Sequence, residues 1–158
     1  MSITIRPAQA GDGSILREMI RELAVHHGFE KDFVARAEDY EVFLADPHAL
    51  NGALIAEWNG APAGCATWQR SYQTFLGRET MYLEDISVLP PFRRKGIATA
   101  LLKAVARLAV ERKAAAVSWI MLSWNDEARR IYEANGASIE DGTCYCKLSG
   151  EALERLAS

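Results

Sequence analysis

The sequence predicts a single α/β domain built around a mixed β-sheet. Two β-rich segments, 53–58 and 63–72, flank Asn59-Gly, a dipeptide typical of a tight hairpin turn, and therefore predict an antiparallel pair. Residues 78–122 show the order strand, helix, strand instead, which requires a parallel pair. The 158 residues contain no linker, repeat or low-complexity segment, so we predict one domain over 1–158.

One strand and two helices are predicted in the N-terminal part of the chain. Residues 2–7 predict a strand that a proline helps to end. Apolar residues recur at helical spacing over 12–28, between good N-cap residues and a terminal glycine, and predict the first helix. A second helix is predicted over 37–45, with Tyr40 and Phe43 on its apolar side.

Strands and helices alternate over most of the C-terminal part of the chain. The predicted elements are a strand over 78–88, a helix over 96–112, a short apolar strand over 117–122, a helix from the cap residue Asn125 to 135, strands over 137–140 and 143–148, and a short helix from Ser149. The apolar strand is of the kind that is buried on both faces.

Composition excludes several classes of protein. The net charge of −3 gives no electrostatic reason to expect nucleic acid as the main partner. Neither a membrane-spanning run nor a signal-peptide pattern is evident, so we expect a cytoplasmic protein. Cys65, Cys144 and Cys146 form neither a disulfide framework nor a metal-ligand pattern, and no metal is expected.

A basic turn at residues 93–96 predicts an anion site. Arg93, Arg94 and Lys95 precede Gly96 at the start of a helix, where the helix dipole already disfavours positive charge. A bound phosphate group would resolve that conflict, whereas a solvated basic turn is the alternative. The glycine patterns of P-loop and dinucleotide-binding proteins are absent, so the ligand is a different phosphorylated molecule.

Two adjacent carboxylates, Glu84 and Asp85, precede this turn on the predicted strand 78–88. Strand alternation sends adjacent side chains to opposite faces. Only one of the two therefore faces a common cleft unless a β-bulge intervenes.

Three motifs together resemble the GNAT superfamily of acetyl-CoA-dependent N-acetyltransferases. Arg93-Arg-Lys-Gly-Ile-Ala matches the Arg/Gln-x-x-Gly-x-Gly/Ala signature of that superfamily. Tyr82-Leu-Glu-Asp and the segment from Trp124-Asn to Gly136-Ala resemble its spermidine/spermine (diamine) acetyltransferase branch. The resemblance covers essentially the whole chain. It implies the acyl-CoA N-acyltransferase fold, a mostly antiparallel sheet with one central splayed parallel pair flanked by helices, and a homodimer.

The resemblance also implies where acetyl-CoA, the co-substrate, binds. The pantetheine arm would lie between the splayed strands, and the basic turn would hold the pyrophosphate. The residues that it assigns to the cofactor are Ile86, Ser87, Val88, Arg93, Arg94, Lys95, Gly96, Ile97, Ala98, Thr99 and Asn125.

The resemblance assigns the chemistry to two residues. Tyr132 is expected to act as the general acid, because a phenol with a pKa near 10 can reprotonate a departing thiolate. Glu84 is expected to act as the base, through water, since an amine of pKa ~10.4 is protonated at pH 7. Tyr82 shares the face of Glu84 and is expected to line the amine pocket, while Asp85 binds substrate or forms an ion pair.

The expected reaction is acetylation of a primary amine on a small, polyamine-like substrate. Where diamine acetyltransferases carry extra acidic residues, this chain has His26-His27, Gln73 and Phe75, so a mono-cationic amine or an amino acid with a side-chain amine is the alternative. A peptide amine needs an open cleft, whereas inserts around 28–48 and 72–80 are expected to cap a small pocket. A non-catalytic CoA-binding regulator is a further alternative.

Overall fold

The computed structural model describes residues 2–140 and 142–158. The chain forms two compact units, one that ends at Asn125 and one that begins at Asp126. None of the helices in the described part of the chain is both long and apolar enough to cross a bilayer.

The first unit contains the sheet and three α-helices. Its elements are β1 (Ile3–Pro7), α1 (Gly13–His27), a 3₁₀ turn (Glu30–Asp32), α2 (Ala37–Leu44), β2 (Asn51–Trp58), β3 (Ala61–Gln73), β4 (Arg78–Val88), a 3₁₀ turn (Pro90–Phe92), α3 (Ile97–Glu111) and β5 (Val117–Ser118). These bounds lie within a few residues of the predicted ones, apart from β5, which is four residues shorter than the predicted strand.

The sheet has the strand order β1-β2-β3-β4-β5, with the first four strands antiparallel and β4 parallel to β5. The predicted mixed sheet is therefore confirmed. The β2–β3 turn has positive φ at Asn59 (51°) and Gly60 (83°), the backbone conformation that such a hairpin requires. The largest fully buried apolar side chains come from α1, the sheet and α3: Leu16, Met19, Ile55, Met81, Leu83, Ile97, Leu101 and Val105.

Helices α1 and α2 are joined by one carboxylate. Glu41 of α2 accepts hydrogen bonds from the backbone N–H of Gly13 (2.7 Å) and of Gly11 (2.9 Å). These N–H groups lie at the start of α1, where backbone donors have no partner within the helix. A Cβ atom at Gly13 would lie 2.5 Å from Glu41 Oε1, so the close approach requires glycine.

The second unit contains α4 (Asp126–Ala134) and α5 (Glu151–Ala157). The strands predicted over 137–140 and 143–148 are wrong, because the structure shows no β-ladder at these residues. Alternating side chains give a segment β-propensity, but a strand forms only where another backbone accepts and donates its hydrogen bonds. The same reason accounts for the short β5, whose ladder with β4 includes two residue pairs.

Candidate active site

A cavity of about 270 Å³ lies in the first unit, between α2 and the β3–β4 pair. Its walls carry three carboxylates and three aromatic rings among nine lining residues. The lining residues are Ala35, Asp39, Tyr40, Phe43, Thr67, Trp68, Gln69, Glu84 and Asp85.

A β-bulge brings both adjacent carboxylates to this cavity. In the β3–β4 ladder, Thr67 pairs with Asp85, but the next residue, Trp68, pairs with Leu83. Glu84 is therefore the extra residue of β4. An extra residue interrupts strict alternation, so Glu84 and Asp85 both line the cavity instead of facing opposite sides of the sheet.

The two carboxylates have different environments. Asp85 is partly buried and accepts a hydrogen bond from the Thr67 hydroxyl (3.0 Å), whereas Glu84 is solvent-accessible and accepts one from Gln69 Nε2 (3.2 Å). Burial raises the pKa of Asp85, and the Thr67 hydroxyl partly opposes that rise. Burial also raises the pKa of Glu84, and the negative charge of Asp85 raises it further. Both shifts make these groups better proton acceptors than ordinary carboxylates.

Aromatic side chains form much of the remaining wall. Burial raises the pKa of Tyr40 to about 12, with a further contribution from the Asp85 charge, so its phenol stays protonated. Trp68 is buried, and the Arg112 guanidinium lies 4.5 Å from its ring centroid. A Cβ atom at Gly52 would lie 2.7 Å from the Trp68 ring, so the observed position of the ring requires glycine at 52.

The strands β4 and β5 separate soon after they begin to pair. Their parallel ladder includes Met81–Val117 and Tyr82–Ser118, while β4 continues to Val88 alongside β3. Within the described residues, the β5-facing edge of β4 therefore has no strand partner after Tyr82. The predicted splayed pair is present, and its open edge includes the predicted residues Ile86, Ser87 and Val88. The Ser87 hydroxyl donates to the Met19 carbonyl (2.8 Å), which fixes this edge to α1.

The basic turn that follows β4 has the backbone of an anion site. Arg94 (φ 60°) and Gly96 (φ 80°) are left-handed on either side of Lys95, and α3 begins directly afterwards. Such alternation turns successive N–H groups towards one point. The first-turn N–H groups of Ile97, Ala98 and Thr99 add to that concavity, with no side chain capping them. A Cβ atom at Gly96 would meet nothing within 4 Å, so the space in front of the turn is open. The residues present fit a pyrophosphate group.

The side chains of the turn are held in different ways. Arg93 Nε donates to the Val88 carbonyl (3.2 Å), and the Arg93 guanidinium lies 3.6 Å from the Glu22 carboxylate. Lys95 donates to the Pro91 carbonyl (3.0 Å) and lies over the rings of Trp58 and Phe92. The exposed Arg94 is therefore the cation of the turn that is most available to a ligand.

Tyr132 is the buried residue of α4, and burial raises its pKa above the ordinary value of 10.0. Its carbonyl oxygen accepts from the N–H groups of Asn135 and Ala137, both at 3.0 Å, which ends the helix before Gly136. Asn125 lies at the end of the first unit, where its N–H donates to the Leu122 carbonyl (2.9 Å). The catalytic role of Tyr132 and the cofactor role of Asn125 stay predictions.

Several predicted residues do not line the cavity. Tyr82 lies at the β4–β5 pair instead. His26 and His27 end α1 and pack edge-on against the Trp124 ring, with centroids 6.1 and 6.0 Å away. Phe75 is fully exposed at the tip of the β3–β4 hairpin. The insert around 28–48 contributes to the cavity as predicted, whereas the residues of the insert around 72–80 do not line it.

The sequence prediction missed the wall formed by Asp39, Thr67, Trp68 and Gln69. No register between β3 and β4 was predicted from the sequence, and the observed register, which pairs 67, 68 and 69 with 85, 83 and 82, is what brings these β3 residues beside the two carboxylates. In the described part of the chain, no group of three His, Cys, Asp or Glu residues is placed to hold a metal ion.

Comparisons with known proteins identify the family of this chain. The profile of the acetyltransferase (GNAT) family matches residues 16–137. The chain therefore belongs to the GNAT acetyltransferase family. Within that class it is an amine N-acetyltransferase, because its relatives include proteins named for that activity.

Two relatives and one solved structure show the extent of the similarity. L-ornithine N5-acetyltransferase NATA1 of Arabidopsis thaliana is 36% identical over 118 residues, which cover 75% of this chain and 48% of that protein. Thialysine N-epsilon-acetyltransferase of Sus scrofa is 35% identical over 171 aligned residues, which cover 99% of this chain and 98% of that one. An integron cassette protein from the mobile metagenome of V. cholerae has a TM-score of 0.79 and 25% identity, covering 99% and 98% of the two chains.

Proposed function

We propose that the protein transfers the acetyl group of acetyl-CoA to the side-chain amine of a small amino acid of the ornithine or thialysine type. The observation that carries the proposal is the cavity of about 270 Å³ with two adjacent carboxylates, Glu84 and Asp85, in one wall. Pockets for drug-sized ligands occupy roughly 300–1,000 Å³, so this volume favours a small molecule over a folded protein or a peptide.

The substrate class is supported by the relatives as well as by charge. NATA1 is named for ornithine and the Sus scrofa protein for thialysine, and both are amino acids with a side-chain amine. The three cavity carboxylates, Asp39, Glu84 and Asp85, favour a cationic substrate. A polyamine is the second candidate, because the same three carboxylates also attract a molecule with two or three ammonium groups.

We assign the cofactor to the open edge of β4 and to the basic turn. Acetyl-CoA supplies a thioester whose carbonyl is the electrophile and whose thiolate is the leaving group. The β4 edge from Ile86 to Val88 offers backbone groups to an extended amide chain, as an added strand would use them. The N–H groups between Arg94 and Ala98, together with the Arg94 side chain, bind the pyrophosphate.

Proton transfer is assigned to Glu84 and Tyr132. The Glu84 carboxylate attracts the substrate ammonium and takes its proton through a water molecule, which leaves a neutral nucleophile. The neighbouring charge of Asp85 raises the pKa of Glu84, which makes it a stronger base. Tyr132 donates its phenolic proton to the departing sulfur. Its raised pKa keeps that proton in place until the thiolate forms.

An acetylation screen tests the proposal. Purified protein is mixed with acetyl-CoA and one amine at a time, and CoA release and the acetylated product are measured. The panel contains ornithine, lysine, thialysine, putrescine, spermidine and an aminoglycoside. We expect turnover with the amino acids at low substrate concentration. The absence of CoA release with every amine in the panel would disprove the proposal, and a clear preference for spermidine would favour the second candidate.

Assembly as a homodimer is part of the same proposal and rests on the family alone. Light scattering on the purified protein measures the mass directly, and a mass of one chain, 17.5 kDa, would contradict it.

A further inference from the structure

Two arginines lie beside one side of the cavity. The β4 wall presents Glu84 and Asp85, both negative. The opposite side is the segment that leads into α2, where Ala35 lines the cavity and its carbonyl accepts a hydrogen bond from Arg17 Nε (3.1 Å). Arg36 follows directly and lies beside Asp39; neither arginine lines the cavity, but each is next to a residue that does.

Asp39 is held beside Arg36. Its Oδ2 accepts the backbone N–H of Arg36 (2.8 Å), and its Oδ1 lies 3.6 Å from the Arg36 guanidinium. The Arg36 N–H holds the pKa of Asp39 below its usual value, so the carboxylate stays ionised. Two cations therefore lie at the edge of this side, Arg17 beside Ala35 and Arg36 beside Asp39.

Both members of the Arg36–Asp39 pair keep capacity for a ligand. A guanidinium has five N–H donors, and a carboxylate accepts about four hydrogen bonds. The Arg36 side chain is 74% exposed and the Asp39 side chain is 51% exposed, so solvent now satisfies most of these groups. The pair matches the charged head of an amino acid, in which a carboxylate and an ammonium share one carbon atom.

We propose that Arg36 binds the α-carboxylate and Asp39 binds the α-ammonium of an amino acid whose side-chain amine lies at Glu84 and Asp85. Arg17 strengthens the positive field on this side. The inference rests on the proposed function and adds the residues that select the substrate. A diamine of equal length presents a second cation to Arg17 and Arg36 and no carboxylate, so it binds less well.

Ornithine and putrescine provide the test, because they differ only by the carboxylate. We expect Arg36→Ala to lower kcat/KM for ornithine by about 10- to 100-fold, the range for a lost hydrogen bond between charged groups. The loss falls on KM, since the reacting end of the substrate is untouched. For putrescine we expect a change of less than about twofold. Arg36→Glu reverses the charge and should make putrescine the better substrate.

The control is Arg21→Ala, which removes an arginine of α1 whose ion-pair partner, Glu30, does not line the cavity, whereas Asp39, the partner of Arg36, does. It should leave both substrates unchanged. The Arg36→Ala variant keeps the backbone hydrogen bond to Asp39, and circular dichroism with thermal unfolding verifies that it folds. A parallel loss for ornithine and putrescine, or a wild-type enzyme that prefers putrescine, would overturn the assignment of Arg36.

A second pair of substrates, ornithine and 5-aminovalerate, tests the role of Asp39. The compound 5-aminovalerate keeps the carboxylate and the reacting amine of ornithine but lacks the α-ammonium. Wild-type protein should prefer ornithine, and Asp39→Asn should reduce that preference by about tenfold. An unchanged ratio would remove Asp39 from the assignment. If none of these compounds is acetylated, the proposed function has failed; acetylation with unchanged ratios refutes the head-group assignment alone.

Discussion

Glu84 and Asp85 are consecutive residues of one strand, yet both line the same cavity. The bulge opposite Thr67 and Trp68 is responsible, because it places one extra residue on β4. The negative charge of Asp85 adds to burial in raising the pKa of Glu84. The bulge is therefore the feature that converts an acidic dipeptide into a candidate base and its electrostatic neighbour.

The first prediction concerns the pH profile. Activity that needs an ionised Glu84 is lost as the pH falls through its pKa, which burial and the Asp85 charge raise above 4.5. Asp85→Asn removes the charge and should move the acid limb of kcat/KM to lower pH. The Thr67 hydroxyl can still donate to the amide oxygen, so the fold is kept.

The matched control for this change is Glu79→Gln, which alters a carboxylate of the same strand that pairs with Arg70 outside the cavity. Its pH profile should equal that of the wild type. An acid limb that stays in place in Asp85→Asn would show that the two carboxylates are not coupled.

The second prediction concerns the contact between α1 and α2. Glu41→Ala leaves the N–H groups of Gly11 and Gly13 without their carboxylate, and should lower the free energy of unfolding by about 1–2 kcal/mol. Helix α2 carries cavity residues, so KM for the amine should rise while CoA affinity stays constant. Urea unfolding and steady-state kinetics measure both effects. The control is Glu38→Ala, which alters an exposed residue of the same helix and should change neither the free energy of unfolding nor KM for the amine. Equal effects of the two variants would contradict the prediction.

The third prediction concerns the basic turn. Gly96 (φ 80°) and Gly60 (φ 83°) have similar left-handed backbones, and a Cβ atom at either position would meet nothing within 4 Å. Alanine at each position should cost about 1–2 kcal/mol of stability. Only Gly96→Ala should also weaken CoA binding, by about tenfold, because relaxation of the turn redirects the N–H groups. Isothermal titration calorimetry measures the affinity, and equal CoA affinity in both variants would place the pyrophosphate elsewhere.

The fourth prediction concerns Tyr132. Tyr132→Phe removes the phenolic proton and should lower turnover by about 10²- to 10⁴-fold, with CoA affinity retained. In the wild type, burial keeps the pKa of the Tyr132 phenol above 10.0, so the phenol stays protonated below that pH. Its ionisation should therefore cause no loss of activity below pH 10.0. Tyr145→Phe alters an exposed tyrosine and serves as the control. Full turnover in Tyr132→Phe would assign the general acid to another group.

Local patterns predicted the β2–β3 hairpin and the backbone of the basic turn well. The signal for the Asn59-Gly60 turn comes from a few consecutive residues. Helix periodicity predicted the ends of α1, α2 and α3 to within about two residues in most cases. The residues of the basic turn are contiguous, so the motif names them all. Strands over 137–140 and 143–148 were predicted by the same alternation and did not form, because strand formation depends on a partner that local sequence cannot supply.

The amino-acid sequence alone determined the family motifs, the order of strands and helices that implies a mixed sheet, and the position of the basic turn, since each is read from residues that are close together in the chain. Tertiary structure decided the candidate amine site. The bulge at Glu84 depends on the register between β3 and β4, and the opposite wall depends on Glu41 holding α2 against α1. Both relationships join residues that are distant in the chain, and packing rather than local propensity selects them.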